Sequence, residues 1–157
     1  MHKQPNLIFV HGSGQSKLSY NFLKIFLPEH NDLCLEYDTA EEPDKIIKRF
    51  QFMAHQEFDG EPVNIIAHSY GCLLATLFCK EYKNVNNFVA LSSPWAGSRT
   101  AKWLGLVFRQ SQLFKNTKPG SPLLNAISET KLDFPIINII STGTSSSGNA
   151  LAGMGAP

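Results

Sequence analysis

The feature that most constrains the fold is an apolar segment that turns directly into a helical pattern at Ser69. Residues 63–67 are mostly apolar, AHSYG occupies residues 67–71, and an apolar helical pattern continues to about residue 82. Ala67 and Gly71 lie two positions before and two after Ser69, and both are small, as required where a strand and a helix pass closely. The pattern predicts a sharp strand–turn–helix elbow with the Ser69 hydroxyl exposed at its apex. The alternative is an ordinary turn in which serine caps the helix.

Short apolar runs alternate with helical patterns along the rest of the chain. Strands are predicted at residues 7–10, 33–37, 63–67, 88–91 and 136–140. Strands that alternate with helices usually pair in parallel through crossover helices. The sequence therefore predicts an α/β fold, with a mostly parallel sheet and flanking helices.

Three further helices are expected from periodicity and capping signals. One covers residues 17–27 after Ser16, where four apolar residues recur at helical spacing: Leu18, Phe22, Ile25 and Phe26. A second begins at Pro43, and a third at Pro122 after Ser121, because proline is well suited to a first helical turn.

Composition limits the classes of partner. The chain has 157 residues, enough for one domain, and a formal net charge of +1. With so small a basic surplus, a dedicated nucleic-acid binder is not expected. The first apolar segment, residues 7–10, is too short for a signal peptide or a membrane helix. These features predict a cytoplasmic protein without a transmembrane segment, and they leave the oligomeric state open.

The three cysteines are expected to be reduced, buried and structural. Cys34, Cys72 and Cys79 are an odd set in apolar surroundings, which does not suggest a disulfide framework. No pair of histidines has ligand spacing with a third donor, so a metal site is not predicted.

A second candidate functional segment is HGSG at residues 11–14, directly after the first predicted strand. Acyl transfer needs two N–H donors that stabilise the oxyanion of the tetrahedral intermediate. The Tyr70 amide, next to Ser69, and the Ser13 amide of this loop are the candidates for this oxyanion hole. A glycine-rich turn can also hold phosphate, but neither common nucleotide-binding pattern is present.

Together, HG at residues 11–12 and AHSYG at residues 67–71 resemble the α/β-hydrolase superfamily, specifically its small lipase-like members. Ala67 stands where the G-x-S-x-G pattern has glycine. LSSPWAGS at residues 91–98 is similar to a segment of lipases and lecithin–cholesterol-acyltransferase-like enzymes, and PGSPLL at residues 119–124 resembles the end of their cap region. The resemblance implies a lipase or esterase that uses Ser69 as nucleophile on a small-molecule or lipid ester, without a cofactor.

The family order places an acid and then a histidine after the serine. Here no histidine follows Ser69, and the later carboxylates are Glu81, Glu129 and Asp133 alone. Either His68 or His11 could act as the base, but His68 is expected to pack beneath the elbow and His11 to fix the glycine-rich loop. The favoured interpretation is a core truncated at its C-terminus, with acid and base beyond residue 157 and this chain inactive by itself.

The predicted organisation is an α/β-hydrolase core at residues 1–140, with a possible cap or lid at residues 95–125, and a Gly/Ser-rich loop or tail at residues 141–157. The apolar stretch at residues 103–114 suits a lid or a core helix equally well. Two functions compete with the ester hydrolase: a hydrolase-like binding module that has no catalytic activity, and an acyltransferase on the same fold.

Overall fold

A five-stranded, entirely parallel sheet forms the centre of the molecule, in the order β2-β1-β3-β4-β5. The computed structural model describes residues 4–97 and 112–140. The elements, in chain order, are β1 Asn6–Val10, a 3₁₀ helix Lys17–Tyr20, α1 Asn21–Lys24, β2 Asn31–Leu35, α2 Pro43–Phe58, β3 Val63–His68, α3 Tyr70–Glu81, β4 Val85–Leu91, α4 Gln112–Thr117, α5 Pro122–Ser128 and β5 Ile136–Ile139. The predicted parallel α/β architecture is confirmed.

The two faces of the sheet are covered differently. Alternate residues of β1 point to opposite faces, so Ile8 belongs to the main core and Phe9 to a smaller cluster. Helices α2, α3 and α5 lie on the main-core side, where α3 contacts both of the others. On the other side the 3₁₀ helix and α1 supply Tyr20 and Leu23, which pack with Phe9.

The helix predicted over residues 17–27 is shorter and oriented differently from expectation. A 3₁₀ turn comes first, and the α-helix that follows has only four residues. The four residues at helical spacing are between 66% and 75% exposed: Leu18, Phe22, Ile25 and Phe26. Contacts with the sheet come from Tyr20, Leu23 and Leu27 instead. Apolar periodicity shows that a helix has an apolar face, but it does not show whether that face packs against the sheet or is exposed to solvent.

Other boundaries differ by a few residues. The second strand is Asn31–Leu35 rather than residues 33–37, and the fourth begins at Val85, three residues before its predicted start. All three cysteines are free, and Cys72 and Cys79 are buried as expected. Cys34 is only half-buried, so the expectation of burial is wrong at that position.

The predicted cap lies partly outside the described residues, which omit 98–111, and so does the tail at 141–157. Of the remaining cap, α4 packs Leu113 against the main core, and α5 buries Leu123 and Leu124. The division into core, cap and tail stays a prediction. In the two described ranges, no helix has the length and apolar character needed to span a membrane.

Candidate active site

β3 turns into α3 through a single strained residue, Ser69. Its backbone has φ 49° and ψ −123°, a conformation that costs a residue with a Cβ roughly 1–3 kcal/mol. The Ser69 N–H donates to the Leu91 carbonyl at 2.9 Å, and the Ser69 carbonyl accepts from the Cys72 N–H at 2.9 Å. The conformation persists because β4 and the first turn of α3 hold this residue from both sides.

Two other serines in the chain show what an ordinary helix cap looks like. Ser121 precedes α5 with φ −65° and ψ 153°, and its Oγ accepts from the Leu124 N–H at 3.2 Å. Ser16 is also extended, and its Oγ accepts from the Leu18 N–H at 3.4 Å. Ser69 has neither the extended backbone nor a capping bond. The turn at Ser69 is therefore not a serine cap, and the Ser69 Oγ accepts no hydrogen bond from the first turn of α3.

The beginning of α3 lies directly against the end of β1. A Cβ added to Gly71 would be 2.3 Å from the His11 carbonyl oxygen and 2.5 Å from that of Val10. Both neighbours are backbone atoms, so a side chain at this position would displace the strand or the helix. On the strand side of the elbow, Ala67 is completely buried. The small residue at position 71 is thus required by close packing, as the sequence predicted.

The elbow lies at the point where the sheet changes direction. β1 is connected to β2 on one side, whereas β3 is connected to β4 on the other, and β1 and β3 are neighbours. Open α/β sheets bind ligands at the carboxyl ends of such neighbouring strands. Val10 pairs with Ala67, so the loop after β1 runs beside Ser69. Ser69 is half-buried.

The loop after β1 is held by hydrogen bonds around Gly12. Gln15 Oε1 accepts from the Gly12 N–H at 3.0 Å and lies 2.9 Å from His68 Nδ1. The Gly12 carbonyl accepts from the Gln15 N–H at 3.2 Å and from His11 Nδ1 at 2.8 Å. A Cβ on Gly12 would be 2.7 Å from His68 Nδ1. Ser13 follows; its N–H has no acceptor among the described residues.

The rings of both histidines near the elbow are engaged by this loop. His11 is buried and stacks on Tyr37 at 4.4 Å between centroids, and the Tyr37 hydroxyl donates to the His11 carbonyl at 2.6 Å. His11 therefore fixes the loop, as expected. His68 is half-buried and its ring reaches Gln15 of the loop rather than packing beneath the elbow. Burial lowers the pKa of His68, which keeps its ring neutral at neutral pH.

Tyr70, the other predicted donor, is the first residue of α3, so its N–H has no carbonyl four residues earlier in the helix to bond. Its side chain is buried, and its hydroxyl accepts from Asn116 Nδ2 of α4 at 2.9 Å. Burial also raises the pKa of this phenol. The three predicted site residues, Ser13, Ser69 and Tyr70, are thus gathered at one edge of the sheet.

The carboxylates that follow Ser69 lie at the opposite edge. A crossover helix runs antiparallel to the strands that it connects, so Glu81, at the end of α3, lies near the amino ends of the strands. Glu129 follows α5 in the same way, and Asp133 precedes β5. All three are exposed. Glu42 does lie near Tyr70, but its Oε1 accepts from Gln112 Nε2 at 2.8 Å.

Sequence patterns alone did not reveal three residues that shape this edge: Gln15, Tyr37 and Asn116. Each acts through a hydrogen bond to a residue far away in sequence, as between Gln15 and His68, 53 positions apart. No local motif encodes such a contact. In the part of the chain that the structure describes, no group of three or more His, Cys, Asp or Glu side chains could hold a metal ion.

Comparisons with known proteins identify the fold. No protein-family model matches the chain, and no curated protein does. Among solved structures, phospholipase PlaB from Legionella pneumophila matches with a TM-score of 0.66 at 19% identity, over 86% of this chain and 39% of that one. Aspergillus fumigatus lipase B matches with a TM-score of 0.68 at 15% identity, over 96% of this chain and 41% of the lipase.

The mature form of Bacillus licheniformis lipase BlEst2 also matches, with a TM-score of 0.67 at 14% identity, over 95% of this chain and 69% of that one. The similarity confirms the α/β-hydrolase fold that the sequence predicted. The chain spans less than half the length of the phospholipase and of the Aspergillus lipase.

Proposed function

We propose that this α/β-hydrolase-fold chain carries the nucleophile and the oxyanion hole of a serine hydrolase that acts on carboxylic esters. The observation that carries the proposal is the strained backbone of Ser69, with φ 49° between β3 and α3. Strain of this kind concentrates at functional sites, because surrounding structure must maintain it. The solved structures that share this fold include a phospholipase and two lipases, which supports a small-molecule or lipid ester as the substrate class.

In the proposed reaction, Ser69 Oγ attacks the carbonyl carbon of the ester while its proton passes to a histidine base. The carbonyl oxygen becomes an oxyanion and accepts hydrogen bonds from the Tyr70 and Ser13 N–H groups. The bond to the alcohol then breaks, and the alcohol leaves with the proton from the base. Water attacks the acyl-Ser69 ester in the same manner and releases the acid. Loss of one oxyanion donor typically slows such a reaction by about 10²–10³-fold.

The base and its carboxylate are proposed to come from polypeptide other than these 157 residues. His11 and His68 both reach the glycine-rich loop through Nδ1, and among the described residues no hydrogen bond joins either ring to Ser69. No histidine follows Ser69 in the sequence. The partial coverage of the matched phospholipase and Aspergillus lipase, 39% and 41%, agrees with a source outside this segment.

One observation favours a second candidate, a binding module with the hydrolase fold and no catalysis. The carboxylates that follow Ser69 lie at the far edge of the sheet, as the positions of Glu81 and Asp133 show. A site without a base could still hold an ester or an acid between the two N–H donors without cleaving it.

A fluorophosphonate probe separates the two candidates, because it reacts covalently only with an activated serine. The 157-residue chain and the full polypeptide encoded by its gene are treated with the probe, and the labelled peptide is identified by mass spectrometry. Ser69→Ala should abolish labelling, and Ser19→Ala, a change at an exposed serine, should leave it unchanged. Labelling of Ser69 only in the full polypeptide supports a base outside these residues. An unlabelled Ser69 in both proteins refutes the enzymatic proposal and favours the binding module.

A further inference from the structure

Gly12, Gln15 and His68 form a hydrogen-bonded group that we call the loop clamp. Gln15 Oε1 lies 3.0 Å from the Gly12 N and 2.9 Å from His68 Nδ1. Gln15 comes from the loop after β1, whereas His68 is the last residue of β3 and immediately precedes Ser69. The clamp therefore joins the two segments that carry the proposed oxyanion donors. The reaction described above assigns it no role.

The clamp fixes where the proton of the His68 ring lies. An amide oxygen only accepts hydrogen bonds, so Gln15 Oε1 accepts from both the Gly12 N–H and the His68 ring. Nδ1 of His68 must consequently carry a proton. Because burial keeps this ring neutral, Nε2 is the unprotonated nitrogen.

The hydrogen bonds around Gly12 also determine where the Ser13 N–H points. The Gly12 carbonyl and the Ser13 N–H belong to one peptide group, and no cis peptide bond occurs among the described residues. In a trans peptide the N–H points opposite to the carbonyl. The Gly12 carbonyl is held by the Gln15 N–H at 3.2 Å and by His11 Nδ1 at 2.8 Å. The direction of the Ser13 N–H is therefore set by the Gln15 N–H and His11 Nδ1, and the Gln15 side chain contributes by holding the N–H of the same glycine.

We propose that Gln15 and His68 are positioning residues that hold the Ser13 N–H where it meets the oxyanion formed at Ser69. The inference rests on the proposed function and adds two residues to it. Gln15 fixes Gly12 from both sides, through its side-chain oxygen and its backbone N–H. His68 ties this arrangement to the elbow. It also explains the glycine at position 12, because a Cβ there would be 2.7 Å from His68 Nδ1.

The test uses ester hydrolysis and fluorophosphonate labelling of the full polypeptide. Gln15→Leu removes the acceptor without opening a cavity, because Gln15 is exposed. His68→Phe keeps a ring without the donor, whereas His68→Asn offers an N–H near the place of Nδ1. Gln56→Leu, on the exposed surface of α2, is the matched control.

Gln15→Leu and His68→Phe should each lower kcat at least about tenfold, with KM nearly unchanged. The loss should be smaller than the roughly 10²–10³-fold expected when an oxyanion donor is deleted, because the Ser13 N–H is still present. The labelling rate of Ser69 should fall in parallel, because the phosphonyl oxygen takes the place of the oxyanion. His68→Asn and Gln56→Leu should stay within about threefold of the wild-type kcat. A purely structural role would not be rescued by His68→Asn in this selective way.

Nitrogen NMR of the 157-residue chain supplies a measurement that needs no catalysis. The wild type should show a neutral His68 ring protonated at Nδ1 and a Gly12 amide protected from exchange, and Gln15→Leu should lose the protection. A His68 proton on Nε2 overturns the inference. So does a wild-type rate of Ser69 labelling in Gln15→Leu and His68→Phe, and in that case the proposed function still stands. If the wild-type full polypeptide is not labelled at all, the proposed function fails and the inference fails with it.

Discussion

Replacing Gly71 by alanine tests the close approach between α3 and β1 that creates the elbow. Helix propensity alone predicts that the change is favourable, because alanine in a helix is about 0.5–1 kcal/mol better than glycine. Gly71 is the second residue of α3. Its φ is not positive, so its backbone conformation does not require glycine. The close contact between α3 and β1 predicts instead that Gly71→Ala destabilises the protein.

The magnitude follows from two distances. The added Cβ would be 2.3 Å from the His11 oxygen and 2.5 Å from the Val10 oxygen, whereas even weakly bonded C···O contacts are about 3.3 Å or longer. The backbones must therefore separate by roughly 1 Å. Overpacking of this kind costs about 1–3 kcal/mol or more. Both clashing atoms belong to the backbone, so the upper end of this range applies, and after subtracting the gain in helix propensity we expect Gly71→Ala to lose about 2 kcal/mol of unfolding free energy.

Urea unfolding followed by circular dichroism measures this loss, which corresponds to a decrease in Tm of about 4–8 °C for a domain of this size. Gly60→Ala is the control, since Gly60 has φ 75° but no atom within 4 Å of the added Cβ. Alanine at position 60 should lower the unfolding free energy only by the cost of placing a Cβ on a left-handed backbone, about 1–2 kcal/mol. Labelling of Ser69 should be unchanged. In the full polypeptide, fluorophosphonate labelling of Ser69 should fall in Gly71→Ala. A Gly71→Ala protein as stable as the wild type, with unchanged labelling, would refute the close approach.

Three further predictions concern the same region and the thiols. Ser69→Gly should raise the unfolding free energy by about 1 kcal/mol relative to Ser69→Ala, because glycine accepts a positive φ; equal stability of the two variants would argue against strain. Cys34, the half-buried thiol, should react with a disulfide reagent at pH 8 before Cys72, because burial raises the pKa of Cys72 to about 12; simultaneous reaction of both thiols would contradict the burial pattern. Burial lowers the pKa of His68 from 6.5 in the folded state, so the unfolded chain binds the proton more readily and stability should fall as pH drops below about 6.5. Urea titrations at pH 7 and pH 5 should show a smaller fall in His68→Asn, and an equal fall would contradict the assignment.

The elbow was predictable because its determinants are local. An apolar strand, small residues at 67 and 71, and an apolar helix lie within 20 residues of one another, and the steric requirement that links them acts between adjacent elements. The start of α2 was predictable for a similar reason, since Pro43 already has the φ of a first helical turn. The parallel order of the strands followed from their alternation with helices.

Contacts between distant segments could not be predicted in this way. Asn116 donates to the Tyr70 hydroxyl across 46 positions, and Tyr37 donates to the His11 carbonyl across 26. Neither pair has a signature in the local sequence, because each depends on how crossover connections bring loops to the same edge. The exposed Phe22 shows the related problem at a helix. Its spacing indicated an apolar face, but the preceding 3₁₀ turn and the short α1 direct Tyr20 toward the sheet instead.

Ser69 and Ser121 both precede helices, but they do so at different energetic cost. At Ser121 a helix begins with an extended serine whose Oγ caps the Leu124 N–H, which stabilises a helix by about 1 kcal/mol. At Ser69 the fold forgoes that stabilisation and adds strain of roughly 1–3 kcal/mol, a total of about 2–4 kcal/mol. That is a large fraction of the 5–15 kcal/mol that holds a typical domain together. A cap like that of Ser121 would start α3 at lower cost, so helix formation does not account for this turn. The half-buried Ser69 instead has an Oγ that caps no N–H of α3, beside a Ser13 N–H that has no acceptor among the described residues, and this favours a reactive serine.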